Sequence, residues 1–202
     1  MALMQTPKDD FNNNSLGGIW SDFGGAQTVE TNQEMQITST LASGYYGIDS
    51  GATTYDLTDS YAFCQYVGPA TSSIVSFEAY PVNLSDAAGN NSLQWMISPQ
   101  GGTIKAFKKV AGVTTQVLST AYSSTTHRFF RIRESGGTTY WDTSANGTVW
   151  TNRHSEANPI TVTALKAGIL QGTWQVEGST ATARFDNFNL LDNSNFMLGC
   201  NF

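Results

Sequence analysis

The stretch HRFFRIRESGGTTYWDTSANGTVW, residues 127–150, decides the fold. Its two halves alternate large and polar side chains with period two, the pattern of strands that bury one face. Between them lies Gly136–Gly137, residue types that accept positive φ where a hairpin turns. A turn over Glu134–Gly137 that sets Arg133 against Thr138 also sets Ile132 against Thr139, Arg131 against Tyr140 and Phe130 against Trp141. Cross-strand partners share a face. One face then carries Phe130, Ile132, Thr139 and Trp141, a core surface. The other carries Phe129, Arg131, Arg133, Thr138, Tyr140 and Asp142. Rings among arginine, carboxylate and hydroxyl groups suit a sugar: the ring covers the C–H face and the polar groups bond its hydroxyls. Phe129, Arg131, Arg133, Tyr140 and Asp142 are therefore the candidate carbohydrate-binding residues. The competing reading is a solvated outer face whose ion pairs contribute little.

Working outward, period-2 runs separated by Gly, Asn and Ser recur along the whole chain, and no helical stripe exceeds two turns. Strands are expected at 28–38, 44–48, 60–67, 74–80, 93–98, 104–110, 113–118, 127–133, 138–144, 149–153, 160–165, 168–171 and 181–190. That many short strands form two packed sheets rather than one open sheet. Further hairpins are expected at Ala111–Gly112 and at Asn146–Gly147, the latter a strong turn dipeptide. The core should include Phe63 or its strand neighbours, Trp95, Phe130, Ile132, Trp141, Trp150 and Phe185. Phe185, Phe188 and Leu190 break strict alternation, which predicts a bulge near Asp186–Asn187. The expected organisation is an arm over 1–8, one sandwich over 9–191 and an extension over 192–202. Phe196, Met197, Leu198 and Phe202 are too apolar for a free tail, and are expected to dock on this domain or a partner chain.

The chain has 202 residues, enough for a single sandwich domain that needs no metal or disulfide to fold. Only 13% of residues are charged and 12% are aromatic, with 19 glycines, a composition of short strands and many turns. A net charge of −6 argues against a general nucleic-acid binder and against a polybasic membrane contact. Cys64 and Cys200 have neither redox nor metal spacing and are expected as free thiols. Residues 1–10 carry no basic region followed by an apolar stretch, so no cleaved secretion signal is expected. Synthesis in a host cytoplasm and release by lysis would meet that condition.

Three segments together carry a family resemblance: DDFNNNSLGGIW (9–20), the 127–150 run and ARFDNFNL (183–190). They resemble the concanavalin A-like lectin/glucanase superfamily, in the small versions found in phage minor tail and other virion proteins and beside glycoside hydrolases. The resemblance covers residues 9–191. It implies an all-β, two-sheet antiparallel jelly-roll sandwich whose usual tasks are glycan binding or virion structure. Hydrolases of the superfamily carry an E-x-D-x-x-E strand, and this sequence has none. Glycoside hydrolysis needs two carboxylates about 5–10 Å apart. Glu30 and Glu34 flank a turn at Asn32–Gln33, while Glu78, Glu134, Glu156 and Glu177 stand apart. The expectation is accordingly no enzyme, no catalytic residue and no metal site.

His127 and His154 lack a nucleophile partner and are expected to be structural. SANGTVW (144–150) resembles a shortened Asp-box, but a turn with Trp150 packed inward accounts for it. Asp9–Asp10, Asp56, Asp59, Asp86 and Asp186 are candidate calcium oxygens that turn formation explains equally, so no cofactor is expected. The leading expectation is a phage virion surface protein, of tail or capsid, extracellular after release. Its expected partners are host-wall glycan, other virion proteins and a second copy of itself. The rivals are a purely structural virion protein and a glycan-active hydrolase or its binding module.

Overall fold

A computed structural model describes residues 1–191; the expected docking residues Phe196, Met197, Leu198 and Phe202, and Cys200, lie outside the described residues. The first strands are β1 (Ser21–Asp22), β2 (Thr28–Thr31), β3 (Glu34–Thr38), β4 (Gly44–Asp49) and β5 (Tyr55–Asp56). Then come β6 (Tyr61–Gly68), β7 (Phe77–Ser85), β8 (Ser92–Ser98), β9 (Thr103–Val110) and β10 (Val113–Ala121). The last five are β11 (Phe129–Ser135), β12 (Thr138–Ser144), β13 (Thr151–Ala157), β14 (Thr163–Thr173) and β15 (Thr182–Asp186). One 3₁₀ turn, Gly25–Gln27, is the only helical element among the described residues.

Two antiparallel sheets form the expected sandwich. The eight-stranded sheet runs β1-β4-β14-β7-β8-β9-β10, with β5 paired to β14, and the seven-stranded sheet runs β13-β12-β11-β6-β15-β3-β2. Alternate residues of both sheets point into one core. Leu93, Trp95 and Ile97 of β8 and Ile104 and Ala106 of β9 meet Phe130 and Ile132 of β11 and Trp141 of β12, all buried. Trp95 sits edge-on to Phe130 with centroids 5.5 Å apart, and its indole N–H donates to the Arg131 carbonyl at 3.0 Å. That bond satisfies the one polar atom of a buried indole.

The residues before β1 are part of the packing. Met4 is fully buried, its N–H donates to the Asp56 carbonyl at 2.7 Å, and Leu3 bridges to Asp56. Asn189 fastens this segment to the end of the fold: its amide donates to the carbonyls of Met4 and Pro7, and its Oδ1 accepts from the Phe63 N–H. Cys64 is a buried free thiol, raised in pKa by burial.

Several details correct the sequence reading. The β11–β12 turn is the two-residue Gly136–Gly137, both at positive φ, so Arg131 faces Asp142, Ile132 faces Trp141 and Arg133 faces Tyr140. The pairing is two residues out from the expected one. A shift of two leaves every side chain on its expected face, whereas a shift of one would have inverted them. The 28–38 run is two strands rather than one, and the turn expected between Glu30 and Glu34 lies at Asn32 (φ 54°) and Gln33 (φ 63°). The runs 160–165 and 168–171 merge into the single β14, because Gly168 continues the strand. The bulge lies at Arg184/Phe185, and the chain leaves the strand at Asn187 (φ 52°). Trp150 is not in the core: the loop from Ala145 to Trp150 is longer than a tight hairpin, and it places the indole 5.7 Å from Phe63 on the outer face.

Candidate functional site

The outer face of the seven-stranded sheet brings the sequence-derived residues together. Arg131 donates through Nε and Nη2 to Asp142 Oδ2, at 3.0 and 2.7 Å, and Arg133 Nε donates to the same oxygen at 2.9 Å. Asn152 donates to the other carboxylate oxygen at 3.1 Å. The Arg131 guanidinium lies 4.2 Å over the Trp150 ring and that of Arg133 3.6 Å over Tyr140. Asp142 is only 1% exposed and Phe129 is buried. Its lone pairs are spent on these internal donors, so Asp142 is a buried anchor for two arginines rather than an acceptor facing outward. Arg133 and Tyr140 remain partly exposed.

The outer face of the eight-stranded sheet is built differently. On β4, Tyr46 and Ile48 point inward, leaving Tyr45, Gly47 and Asp49 outward. On β14, Leu165, Ala167 and Ile169 point inward, so Gly168, Leu170 and Gly172 are outward. Register then lines up three rows: Tyr45–Gly172–Glu78, Gly47–Leu170–Tyr80 and Asp49–Gly168–Asn83. The third row continues through Gln94 and Phe107 to Gln116. Phe23, 47% exposed, extends the second row at its β1 end, where its N–H donates to the Gly47 carbonyl at 3.0 Å.

Glycine lets the Tyr45 ring lie flat on this face. A Cβ at Gly172 would lie 2.3 Å from Tyr45 Cδ1, and one at Gly47 would lie 2.8 Å from the Leu170 backbone. The Tyr45 ring therefore lies over β14 and reaches β7, where its hydroxyl donates to Glu78 Oε2 at 2.8 Å. Tyr80 donates to the same oxygen at 2.7 Å and meets Tyr45 edge-on at 6.0 Å. Burial, and then the Glu78 charge, raise both phenols well above their usual pKa, so both stay protonated donors. Tyr45 keeps 45% of its surface exposed. Gln94 Nε2 donates to Asn83 Oδ1 at 2.8 Å, and Lys166 pairs with Asp49 at 3.3 Å. The result is a ring, a carboxylate and amides at fixed places on an open surface.

Sequence reasoning missed this face because it sought side chains and not their absence. The available signal was Gly168 and Gly172, an even number of residues apart on one strand and hence on one face.

The remaining candidates have structural surroundings. Glu30 is buried, and its Oε1 accepts from the Asn13 N–H at 3.0 Å; Glu34 pairs with Arg184 at 3.5 Å. His127 accepts from the Ser123 N–H through Nδ1, and Arg153 faces Nε2 at 3.0 Å; burial and then that charge lower its pKa. His154 packs on Trp141, 3.8 Å from Glu156. Among the described residues, no three His, Cys, Asp or Glu stand together as a metal cluster. Glu78 and Asp49 both lie on the outer face of the eight-stranded sheet. The residues they oppose, Gly172 and Gly168, are four apart, about 13 Å by strand rise.

No family model matches the sequence, and no curated protein matches it. Solved structures do match. A Bacillus licheniformis β-glucanase superposes with TM-score 0.68 at 11% identity, covering 90% of this chain and 96% of that one. Laminarinase from Flavobacterium sp. UMI-01 gives 0.67 at 9% identity, covering 91% and 97%. The carbohydrate-binding module CBM66 from Bacillus subtilis gives 0.53 at 14%, covering 87% and 95%. The chain has the concanavalin A-like jelly-roll fold. Identities this low carry the fold alone. The expectation that the chain is no enzyme is corrected: solved structures of the same fold are named as glucanases, so the lack of an E-x-D-x-x-E strand does not by itself exclude hydrolysis.

Proposed function

We propose that the chain is a glycan-recognising domain and that it receives a sugar chain on the outer face of the eight-stranded sheet. The Tyr45 ring held over Gly172, with its hydroxyl on Glu78, carries this reading. An exposed ring fixed by a hydrogen bond offers a stacking surface without first having to be ordered. The glucanase and CBM66 folds support a sugar as the ligand class. Between the two outer faces, that of the eight-stranded sheet has exposed aromatic rings, Tyr45 and Phe23, while the Arg131/Asp142 face has already spent its carboxylate. The test is affinity electrophoresis or calorimetry against a panel of soluble glucans and wall polysaccharides. Binding by the parent and at least tenfold weaker binding by Tyr45→Ala are expected. A parent that binds none of the panel, or a Tyr45→Ala variant that binds equally, overturns the reading.

Hydrolysis is the second reading, favoured by the glucanase neighbours. Its test is release of reducing ends from the same glucans by the parent, lost in Glu78→Gln. The resemblance of residues 9–191 to virion modules supports a phage particle surface as the place of work; an antibody to the domain should then label intact particles.

A further inference from the structure

Acidic and basic residues are unevenly placed along the chain. Residues 87–133 hold six of its ten Lys and Arg and none of its sixteen Asp and Glu. Four of the six are engaged within the fold. Lys108 pairs with Glu156, Arg131 and Arg133 share Asp142, and Lys109 donates to the Gly89 carbonyl at 2.8 Å. Two are not. Arg128 is exposed in the loop before β11, and Lys105 is half-buried in the middle of β9. Among the described residues, no hydrogen bond or ion pair engages the Lys105 ammonium.

Alternation fixes where Lys105 points. Ile104 and Ala106 are fully buried, so Lys105 and Phe107 stand on the outer face of the eight-stranded sheet, the face that carries Tyr45. Register sets Lys105 between Met96 of β8 and Ser119 of β10, and Phe107 between Gln94 and Gln116. The Met96 row meets β7 at the bulge that holds Tyr80, the second donor to Glu78. β8, β9 and β10 carry no carboxylate, whereas Asp49 and Glu78 lie on β4 and β7. One face therefore has carboxylates at its Tyr45 end and an uncommitted cation at Lys105, two strands beyond β7 or about 10 Å.

We propose that Lys105 and Phe107 form a subsite for an anionic substituent of the bound glycan, a carboxylate or a phosphate; the subsite rests on the reading of this face as the glycan site. An ammonium partly removed from water, with no carboxylate on its own or either neighbouring strand, is open to a charge-assisted hydrogen bond. The Phe107 ring on the same strand face offers the apolar surface for the sugar that bears the charge. A neutral glucan leaves Lys105 without a partner, so the residue discriminates between polymers by a difference of affinities. The chain as a whole, at net charge −6, repels an acidic polymer. A local cation on the binding face offsets that repulsion where contact is made.

The test is calorimetry of the parent, Lys105→Gln and Arg133→Gln against three polymers: a neutral glucan, a polyuronate and a phosphodiester-linked wall polymer. The parent should bind at least one anionic polymer at least tenfold more tightly than the neutral glucan, and added salt should weaken that binding. Which anionic polymer is preferred tells carboxylate from phosphate. Lys105→Gln should remove the preference and most of its salt dependence while leaving the melting temperature unchanged. Equal affinity of the parent for neutral and anionic polymers, or a preference that survives Lys105→Gln, overturns the subsite and leaves the Tyr45 site standing. A preference lost in Arg133→Gln and kept in Lys105→Gln overturns it too, and moves the anion to the seven-stranded sheet. A parent that binds none of the polymers overturns the glycan reading of the face and the subsite with it.

Discussion

Tyr45 reaches Glu78 across an intervening strand: the two side chains are on β4 and β7, and their 2.8 Å hydrogen bond passes over Gly172 of β14. A methyl group at residue 172 would meet the Tyr45 ring at 2.3 Å and the Gly44 carbonyl at 2.6 Å. The ring can swing away, but the backbone cannot. Gly172→Ala should therefore break the Tyr45–Glu78 bond, weaken glycan binding as much as Tyr45→Ala does, and cost about 1–3 kcal/mol of stability through overpacking. Urea unfolding beside a binding titration checks both parts.

The two outer faces make opposite predictions for two tyrosines. Tyr45→Phe keeps the ring and loses the hydroxyl that fixes it, so binding should weaken without vanishing, while Tyr45→Ala should abolish it. Tyr140→Ala removes the ring under Arg133 and should leave binding within a factor of two of the parent. Loss of binding in Tyr140→Ala with retention in Tyr45→Ala would move the sugar to the Arg131/Tyr140 face.

Two tryptophans separate core from surface. Trp141 is fully buried, and Trp141→Ala should cost about 3–5 kcal/mol. Trp150 is half-buried on the outer face beside Phe63 and Arg131, and Trp150→Ala should cost clearly less. The comparison needs only the shift in denaturation midpoint at constant slope.

These residues show where the sequence was legible. Alternation placed Phe129–Arg133 of β11 and Thr138–Asp142 of β12 on the correct faces even with the turn misplaced, because side-chain period two makes a two-residue error invisible. Trp150 was misplaced because it follows Ser144 through a loop, where alternation carries no information. The Tyr45 face was illegible for a different reason. Tyr45, Glu78 and Gly172 lie on three strands far apart in the chain, and sheet order, not local pattern, brings them together. Periodicity within a strand reports burial; it does not report which strand lies beside which.

Glu30 gives a pH prediction. Its carboxyl is buried, and desolvation raises its pKa above 4.5 even though backbone N–H groups oppose that shift. A folded-state pKa above the unfolded one means that the folded state holds the proton more tightly. The contribution is favourable below the unfolded value and is lost as pH rises through the folded one. Glu30→Gln keeps an acceptor for the Asn13 N–H and has no proton to lose. The variant's melting temperature relative to the parent should therefore rise between pH 4 and pH 7. A difference that stays flat or falls over that window would show that the carboxylate is not penalised by burial.

Asn189 tests how the two ends of the sandwich are joined. It is 4% exposed, and its side chain serves three backbone groups: the Phe63 N–H at 2.8 Å and the carbonyls of Met4 and Pro7, each at 3.0 Å. Its own backbone sits at φ 52°, a conformation asparagine tolerates better than most residues, and its N–H donates to the Phe63 carbonyl at 2.9 Å. Asn189→Asp removes the two donors to Met4 and Pro7 while keeping an oxygen for Phe63, and buries a charge against two carbonyls. Asn189→Ala leaves all three groups unpaired. Unsatisfied buried groups cost about 1–3 kcal/mol each, so both variants should be strongly destabilised. The first segment to loosen should be residues 3–7, since Met4 loses the bond that holds its carbonyl. Hydrogen exchange at the Met4 N–H, which reports its bond to Asp56, should then accelerate ahead of the β8 and β11 amides. Uniform acceleration across the sandwich would mean that Asn189 supports the whole core rather than the junction of its ends.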